Sequence, residues 1–373
     1  MLLLTACQSP GVVRPTVKIG LVAPFEGRYR YVGYDLIYAV RLALREANGA
    51  SDELRTNNYG LAGSTSLLGG VKGYSVELVA YDDGADPPMA AEQARKLATD
   101  PGVVAAIGHF REETTSAASS AYAEAGIPLV APAVLGGVGA RSPHPYRLGS
   151  AASTLAHALL QYVGTEQVVA LVSDSGPLGA ALVEAAPLQR MKVLAVVSPT
   201  TTDWLAEVLS SGADAVICDA DPVTAGEVLF SLRGAGWEGL FLGGPELAAT
   251  DFVAVAGEAA EGAVFVTPYP FPADVPSTAG FVAAYQEVSG GVPPGPLALP
   301  AYEATWVLLE ALERDIAAHG APTREGVGAA LSDTGRDGLL GHVTFDAGRD
   351  WSAAPLYWYH IGAGGIAQRI GGD

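Results

Sequence analysis

Cysteine is almost absent from this chain, which carries only Cys7 and Cys218 in 373 residues. No internal disulfide can be proposed from them, so cysteine usage neither supports nor opposes export. Cys218 ends the run Ala215-Val216-Ile217-Cys218 and reads as a small buried hydrophobe. Charge is also scarce, at 16% of residues against 49% hydrophobic, which excludes a disordered chain. Basic residues are the rarer sign, 21 Lys and Arg against 40 Asp and Glu, for a net charge of −19. That balance argues against nucleic acid and against adhesion to anionic membranes or wall polymers. No apolar run reaches the ~18 residues that a membrane span needs.

The motifs of common enzyme chemistry are missing too. There is no Gly-x-Ser-x-Gly elbow, phosphate-binding loop or Cys pair at metal-ligand spacing. The six histidines, at 109, 144, 157, 319, 342 and 360, lack zinc-like spacing. His109, at a strand end, reads as a structural histidine before it reads as a base. Gly362-Ala363-Gly364-Gly365-Ile366-Ala367 fits the loose dinucleotide pattern, yet no helix follows to receive a pyrophosphate. Asp82, Asp83 and Asp86 fail the calcium-loop spacing, because position 93 is Gln rather than the closing Glu. Turn and cap duty explains them. No cofactor, metal or reaction is implied, although catalytic groups assembled from distant residues leave no motif.

What is present is alternation. Residues 76–81, 103–108 and 129–132 are short apolar runs, separated by helical patterns over 87–99 and 114–125. Asp86 is a good N-cap and Pro87 a good first helical residue. Continuous apolar strands between helices predict a parallel sheet covered on both faces. Ligands then bind beyond the carboxyl ends of the strands, which places 82–83, 109–112 and 133–135 around one site. Residues 17–23 form an earlier strand, followed by a loop at 24–33 and a helix through Leu36, Val40, Leu44 and Ala47. Residues 49–70 read as an exposed excursion and 136–142 as a Gly-rich crossing. The pattern restarts with strands at 168–172, 193–197, 215–218, 240–242 and 263–266. Helical patterns lie at 178–189, 204–209, 225–233 and 247–256. Two longer ones, 278–288 and 301–318, precede a β-rich end at 342–346 and 356–360. A chain of this length exceeds one compact core, so two α/β units are expected.

At the N-terminus Leu4-Thr5-Ala6-Cys7 is similar to a bacterial lipobox, in which Cys7 would be lipidated after signal cleavage. Residues 1–16 would then be lipobox and tether, which anchors the protein to the membrane. Only six residues precede Cys7, without a charged n-region or full h-region. A truncated start is one explanation, and a chance cysteine in a short apolar terminus is the other.

Several motifs carry a family resemblance in order. They are Lys18-Ile19-Gly20-Leu21, Tyr81-Asp82-Asp83 with Asp86-Pro87, Ile107-Gly108-His109, and Tyr122 with Glu124 and Gly126-Ile127-Pro128. Pro132-Ala133, Gly244-Pro245-Glu246 and Ala256-Gly257-Glu258 with Ala260-Glu261-Gly262 follow. This set resembles the leucine/isoleucine/valine-binding protein family, class I periplasmic-type binding proteins that serve ABC importers. The resemblance implies two doubly wound open-sheet α/β lobes joined by a three-crossing hinge, with ligand trapped between them. Residues 17–149 with 269–336 would form lobe 1, and 150–268 with 337–373 lobe 2.

The resemblance also implies a site. Glu246 matches the acid that takes a ligand amine, and Ala133, with Val134 beside it, matches a residue whose backbone lines the pocket. The hydroxyls that hold a ligand carboxylate are replaced by Glu112 and Leu135. The tyrosines over the ligand side chain are replaced by Leu178 and by a position near Ala220 or Asp221. A cysteine pair that some members place there reads Ala85 and Arg111. Thr114 or Thr115 could restore a carboxylate contact, and Arg111, beside Phe110, could supply charge. Tyr31, with Arg28, Tyr29 and Arg30, sits in a loop that borders the cleft in this family. Glu112 and Glu113 could equally serve a helix N-terminus, and Asp221 an N-cap.

The expected function is an extracytoplasmic, lipid-anchored solute-binding protein, monomeric and not an enzyme. Its partners would be a small amino-acid-like, amine or polyol ligand and an ABC permease–ATPase complex. The departures at 112 and 135 make a simple branched-chain amino acid a poor fit. A ligand-sensing regulatory lipoprotein of the same fold is the alternative, and a hydrolase on a similar scaffold a remoter one.

Overall fold

The structure, a computed structural model, describes residues 14–49, 70–133, 145–174, 176–351 and 353–371. The lipobox with Cys7, most of the 49–70 excursion and the Gly-rich crossing with Val134 and Leu135 lie outside the described residues.

The first sheet grows from the alternation seen in the sequence. Its strands are β1 (Thr16–Ala23), β2 (Ser75–Asp82), β3 (Val103–Gly108), β4 (Leu129–Ala131) and the two-residue β5 (Tyr146–Arg147). All pair in parallel, in the order β2-β1-β3-β4-β5. The connecting helices are α1 (Arg30–Ala47), α2 (Pro87–Thr99) and α3 (Glu112–Ala125). Every residue of β3 is buried, because helices cover both faces of the sheet. Asp86 caps α2 by accepting the Met89 N–H at 2.8 Å, with Pro87 in the first helical position.

The second unit begins with α4 (Ala152–Val163) and continues β6 (Val168–Ser173), α5 (Pro177–Leu188), β7 (Lys192–Val197) and α6 (Trp204–Ser211). It proceeds through β8 (Ala215–Asp219), α7 (Pro222–Gly234), β9 (Leu240–Gly243), α8 (Thr250–Ala256) and β10 (Val264–Thr267). The chain then returns to the first unit as α9 (Ala279–Ser289), α10 (Ala298–His319) and α11 (Arg324–Ser332). A small hairpin follows, β11 (Gly335–Gly338) and β12 (Gly341–Thr344), and the last strands are β13 (Tyr357–Ile361) and β14 (Ala367–Ile370). Those two join the second sheet antiparallel, giving the order β14-β13-β10-β9-β8-β6-β7. The helical pattern expected over 247–256 is split into a 3-10 turn, Pro245–Ala248, and α8.

Each sheet separates two apolar layers. In the first unit α1 and α9–α11 pack on one face, and α2 and α3 on the other. In the second, α6–α8 cover one face and α4 with α5 the other. Leu340, Val343 and Trp351 belong to the first core. The expectation that everything after 336 joins lobe 2 therefore fails for the hairpin, and the last return to the second unit comes beyond residue 354. The reason is an ion network: Arg336 on β11 reaches Glu303 of α10 at 3.0 Å and also pairs with Glu310. Glu303 further accepts the Leu339 N–H at 2.6 Å, which holds the hairpin on α10.

The chain passes between the two sheets near 148–151, 268–272 and 345–356. These passages are braced to one another. Arg147 makes a two-pronged bridge to Asp350, at 2.5 and 2.6 Å. The Tyr269 hydroxyl lies against the carbonyls of Pro132 and Leu148, 2.7 Å from the latter. No helix among the described residues is long and apolar enough to cross a membrane.

Candidate functional site

A cavity of about 540 Å³ lies between the two units. It is lined by residues just past the carboxyl ends of β1, β3 and β4 on one side and β6, β8, β9 and β10 on the other. That is the crevice an open parallel sheet leaves at its strand ends.

The approach from β3 depends on Gly108. Its φ is +132°, and a Cβ there would sit 2.2 Å from the Val22 carbonyl oxygen, so only glycine fits. His109 then turns inward. Its Nδ1 lies 2.7 Å from Asp83 Oδ2 and its Nε2 3.2 Å from the Tyr122 hydroxyl, with all three side chains buried. His109, Asp82 and Asp83 serve the turn rather than the cavity, Asp82 by accepting the N–H of Phe25 and of Gly84. The next residues face the space: Phe110, Arg111, Glu112 and Glu113 all line it.

Arg111 is the only basic side chain among the described lining residues. Its guanidinium lies 4.6 Å from the centre of the Tyr29 ring and its Nε 3.4 Å from Glu113. Burial works against its charge, but Tyr29, Glu113, Glu246 and Asp174 outweigh that and hold its pKa above the ordinary arginine value. Glu112 is also raised, above the usual carboxylate range, by burial and by the neighbouring Glu113 charge, with Arg147 opposing. Its Oε2 is buried and has no hydrogen-bond partner.

The second unit contributes acids. Asp174 follows β6, Asp219 ends β8, Asp221 and Glu246 follow β8 and β9, and all four line the cavity. Burial, with Asp219 and Asp174 nearby, raises Glu246 to about 7, against the pull of Arg111. Burial and Asp174 raise Asp219 to about 6, although it accepts the Gly179 N–H at 2.6 Å. Asp174 is raised by burial, with Arg111 opposing. Asp221 accepts the N–H of Val223 and Thr224 and the Thr224 hydroxyl, so it is the N-cap of α7.

Of the residues expected at the site, Tyr31, Phe110, Arg111, Glu112, Ala133, Asp221 and Glu246 line the cavity. Two do not. Thr114 is buried and its hydroxyl donates back to the Arg111 carbonyl at 3.0 Å, a bond available to a threonine in the first turn of a helix. Leu178 is fully buried in the core between α4, α5 and the second sheet, because Gly176 and Pro177 open α5 and take the lining position instead. Val134 and Leu135 lie outside the described residues. Sequence reasoning missed Asp174, Asp219, Phe271 and Tyr269. The available signal was an acid closing or following an apolar strand, at Ser173-Asp174 and Cys218-Asp219. Among the described residues no group of His, Cys, Asp and Glu is placed to hold a metal ion.

A model of the periplasmic binding protein family matches residues 16–365. The chain belongs to that family. It is 27% identical over 242 residues to the Leu/Ile/Val-binding protein of Escherichia coli K12, covering 60% of this chain and 65% of that one. This chain thus spans just under two thirds of that relative. A leucine-, isoleucine-, valine-, threonine- and alanine-binding protein of Pseudomonas aeruginosa is 24% identical, over 89% of this chain and 86% of its own. Among solved structures, a leucine-binding protein of Thermotoga maritima superposes with a TM-score of 0.81 at 22% identity, covering 95% of this chain and 98% of that one. A solute-binding protein of R. palustris, solved in complex with benzoate, gives 0.75 at 19% identity, over 95% and 96%. These neighbours share the two-lobed fold of this family. They are solute-binding proteins, not enzymes.

Proposed function

We propose that the chain is the extracytoplasmic solute-binding component of an ABC importer, anchored through Cys7, and that it captures a small polar ligand between its lobes. One observation carries this reading. The cavity is walled by both lobes, and Glu246 of the second, raised to about 7 chiefly by burial, feels the charge of Arg111 of the first. A ligand amine at Glu246 would restore the ionised carboxylate, and contacts to both walls exist together only when the lobes are closed. Ligand therefore shifts an open–closed equilibrium, and the closed shape is what a permease–ATPase complex reads. No cofactor or nucleic acid enters, and the protein acts as a monomer.

The relatives' names support an amino-acid-like ligand, and the benzoate complex of one neighbour argues that this fold accommodates others. A simple branched-chain amino acid fits poorly here, because Glu112 stands where its carboxylate would need donors. The test is thermal unfolding against amino acids, amines, polyols and aromatic acids. Ligand at ~100 times its dissociation constant stabilises by ~2.7 kcal/mol, and Glu246→Ala should abolish the shift. No shift with any class would count against a solute-binding role.

A further inference from the structure

The cavity continues past its charged end, along α1. Tyr31, Tyr34, Asp35 and Tyr38 all line it, and their three- and four-residue spacing puts them on one face of that helix. Tyr31 stands at the charged end, where Glu246 and Arg111 act on its hydroxyl. The step from Tyr31 to Tyr38, at ~1.5 Å per residue, carries the lining about 10 Å farther. There α1 meets the segment 292–297, which Asp35 binds and which lines the cavity along its whole length.

This far compartment has a chemistry of its own. Pro293, Pro294 and Pro296 have no N–H, and the N–H groups of Gly295 and Leu297 both go to Asp35. From 293 to 297 the backbone therefore has no donor left for a ligand. The Asp35 carboxylate is spent as well, with one N–H on each oxygen and the Tyr285 hydroxyl turned to it. What remains is ring surface. Tyr34 lies 6.4 Å from Tyr38, and Tyr38 meets Tyr285 edge to face at 6.0 Å, beside the proline rings. Tyr34 and Val292 are large apolar side chains left 50% and 55% exposed at this end, surface that an apolar ligand group would take out of water. An aromatic ring suits both tyrosine edges and proline rings.

We propose that the ligand carries an uncharged aromatic ring, held between the α1 tyrosines and the prolines of 293–296, on a flexible arm that reaches back to the charged end. This rests on the solute-binding reading, with its amine at Glu246, and adds the far half of the ligand. Tyr34 and Tyr38 are then specificity-determining residues. The cavity volume agrees, since about 540 Å³ falls within the ~300–1,000 Å³ of pockets for drug-sized ligands.

Calorimetric titration of the full chain with butylamine, 4-phenylbutylamine, 4-cyclohexylbutylamine and benzylamine tests it. The phenylbutyl compound should bind at least ~10-fold more tightly than butylamine, as burial of a phenyl-sized group implies. It should exceed its cyclohexyl analogue about threefold, the share of ring-to-ring contact. Benzylamine, too short to reach, should gain little. Tyr34→Ala and Tyr38→Leu, checked for unchanged melting temperatures, should each lower the phenyl preference about threefold or more. Should Tyr38→Leu melt early, Tyr34→Ala decides, because its half-exposed ring carries little of the core. Phenylbutylamine no tighter than butylamine, benzylamine or the cyclohexyl analogue overturns the ring site, and so does a preference that the variants leave intact. If no amine binds while another class shifts the thermal panel, this proposal falls and solute binding stands. Silence in both takes the parent reading down with it.

Discussion

Asp35 on α1 accepts the backbone N–H of Gly295 at 2.7 Å, across 260 positions of sequence. Its other oxygen accepts the Leu297 N–H at 2.8 Å, and the Tyr285 hydroxyl lies 3.3 Å from Oδ1. The proline-rich segment 292–297 is thereby held as a wall of the cavity. Asp35→Ala strands both N–H groups and should cost about 2 kcal/mol. Hydrogen exchange at Gly295 and Leu297 should accelerate. Unchanged protection there would mean that other contacts hold the segment.

Ligand-free stability should fall as pH rises from about 4.5 to 7. Burial raises Glu246 to about 7 and Asp219 to about 6, both above their unfolded values. The native state therefore binds more protons than the unfolded one across that window, and stability declines as they leave. Glu246→Gln should flatten the upper part of the decline in urea titrations at pH 5, 6, 7 and 8. A cationic ligand favours the ionised carboxylate, so its affinity should rise with pH through 7, with proton release detectable in buffers of different ionisation enthalpy.

Glu303→Leu should destabilise the first lobe strongly. Arg336 is 5% exposed and Glu303 fully buried, so removing the acid leaves a buried charge whose remaining ion-pair partner among the described residues is the half-buried Glu310. Losses of ~3–5 kcal/mol are usual when one partner of a buried pair goes. Replacing Glu303 and Arg336 together by apolar residues should recover much of that. Denaturant melts of the single and double variants make the comparison.

Gly179→Ala should weaken ligand binding as well as stability. A Cβ there would lie 2.2 Å from Ser173 Oγ and 2.8 Å from Asp219 Oδ2, so the carboxylate must move and its 2.6 Å bond to the Gly179 N–H is disturbed. A cost of ~1–3 kcal/mol is expected from such overpacking. A melt indistinguishable from the parent would show that the Ser173 side of the loop yields freely.

How legible all this was depends on burial. Strands such as Val103–Gly108 were readable because both faces are covered and every residue is apolar. Gly335–Gly338 was not, because its inward position is Arg336, buried by an ion pair rather than by apolar packing, and Ala367–Ile370 was not, because it is a largely exposed edge strand that tolerates Gln and Arg. Tyr146–Arg147 was too short to make a pattern. At the site the readable part was the motif-bearing strand ends, from Phe110 to Glu112 and at Glu246. Leu178 failed because position along the chain does not say which way the first turn of a helix faces. Thr114 failed because a hydroxyl in that turn can bond backward to its own helix. Asp174 and Asp219 carry no motif, and their role follows only from two strands ending side by side.

The hairpin at Gly335–Thr344 has a consequence for the order in which the protein can be made. Leu340, Val343 and Trp351 complete the core whose opening strand starts at Thr16. The second unit's first five sheet strands, Val168–Thr267, are by then already synthesised. The lobe that is begun first is thus finished late, and during translation its α10 surface waits open while its neighbour assembles.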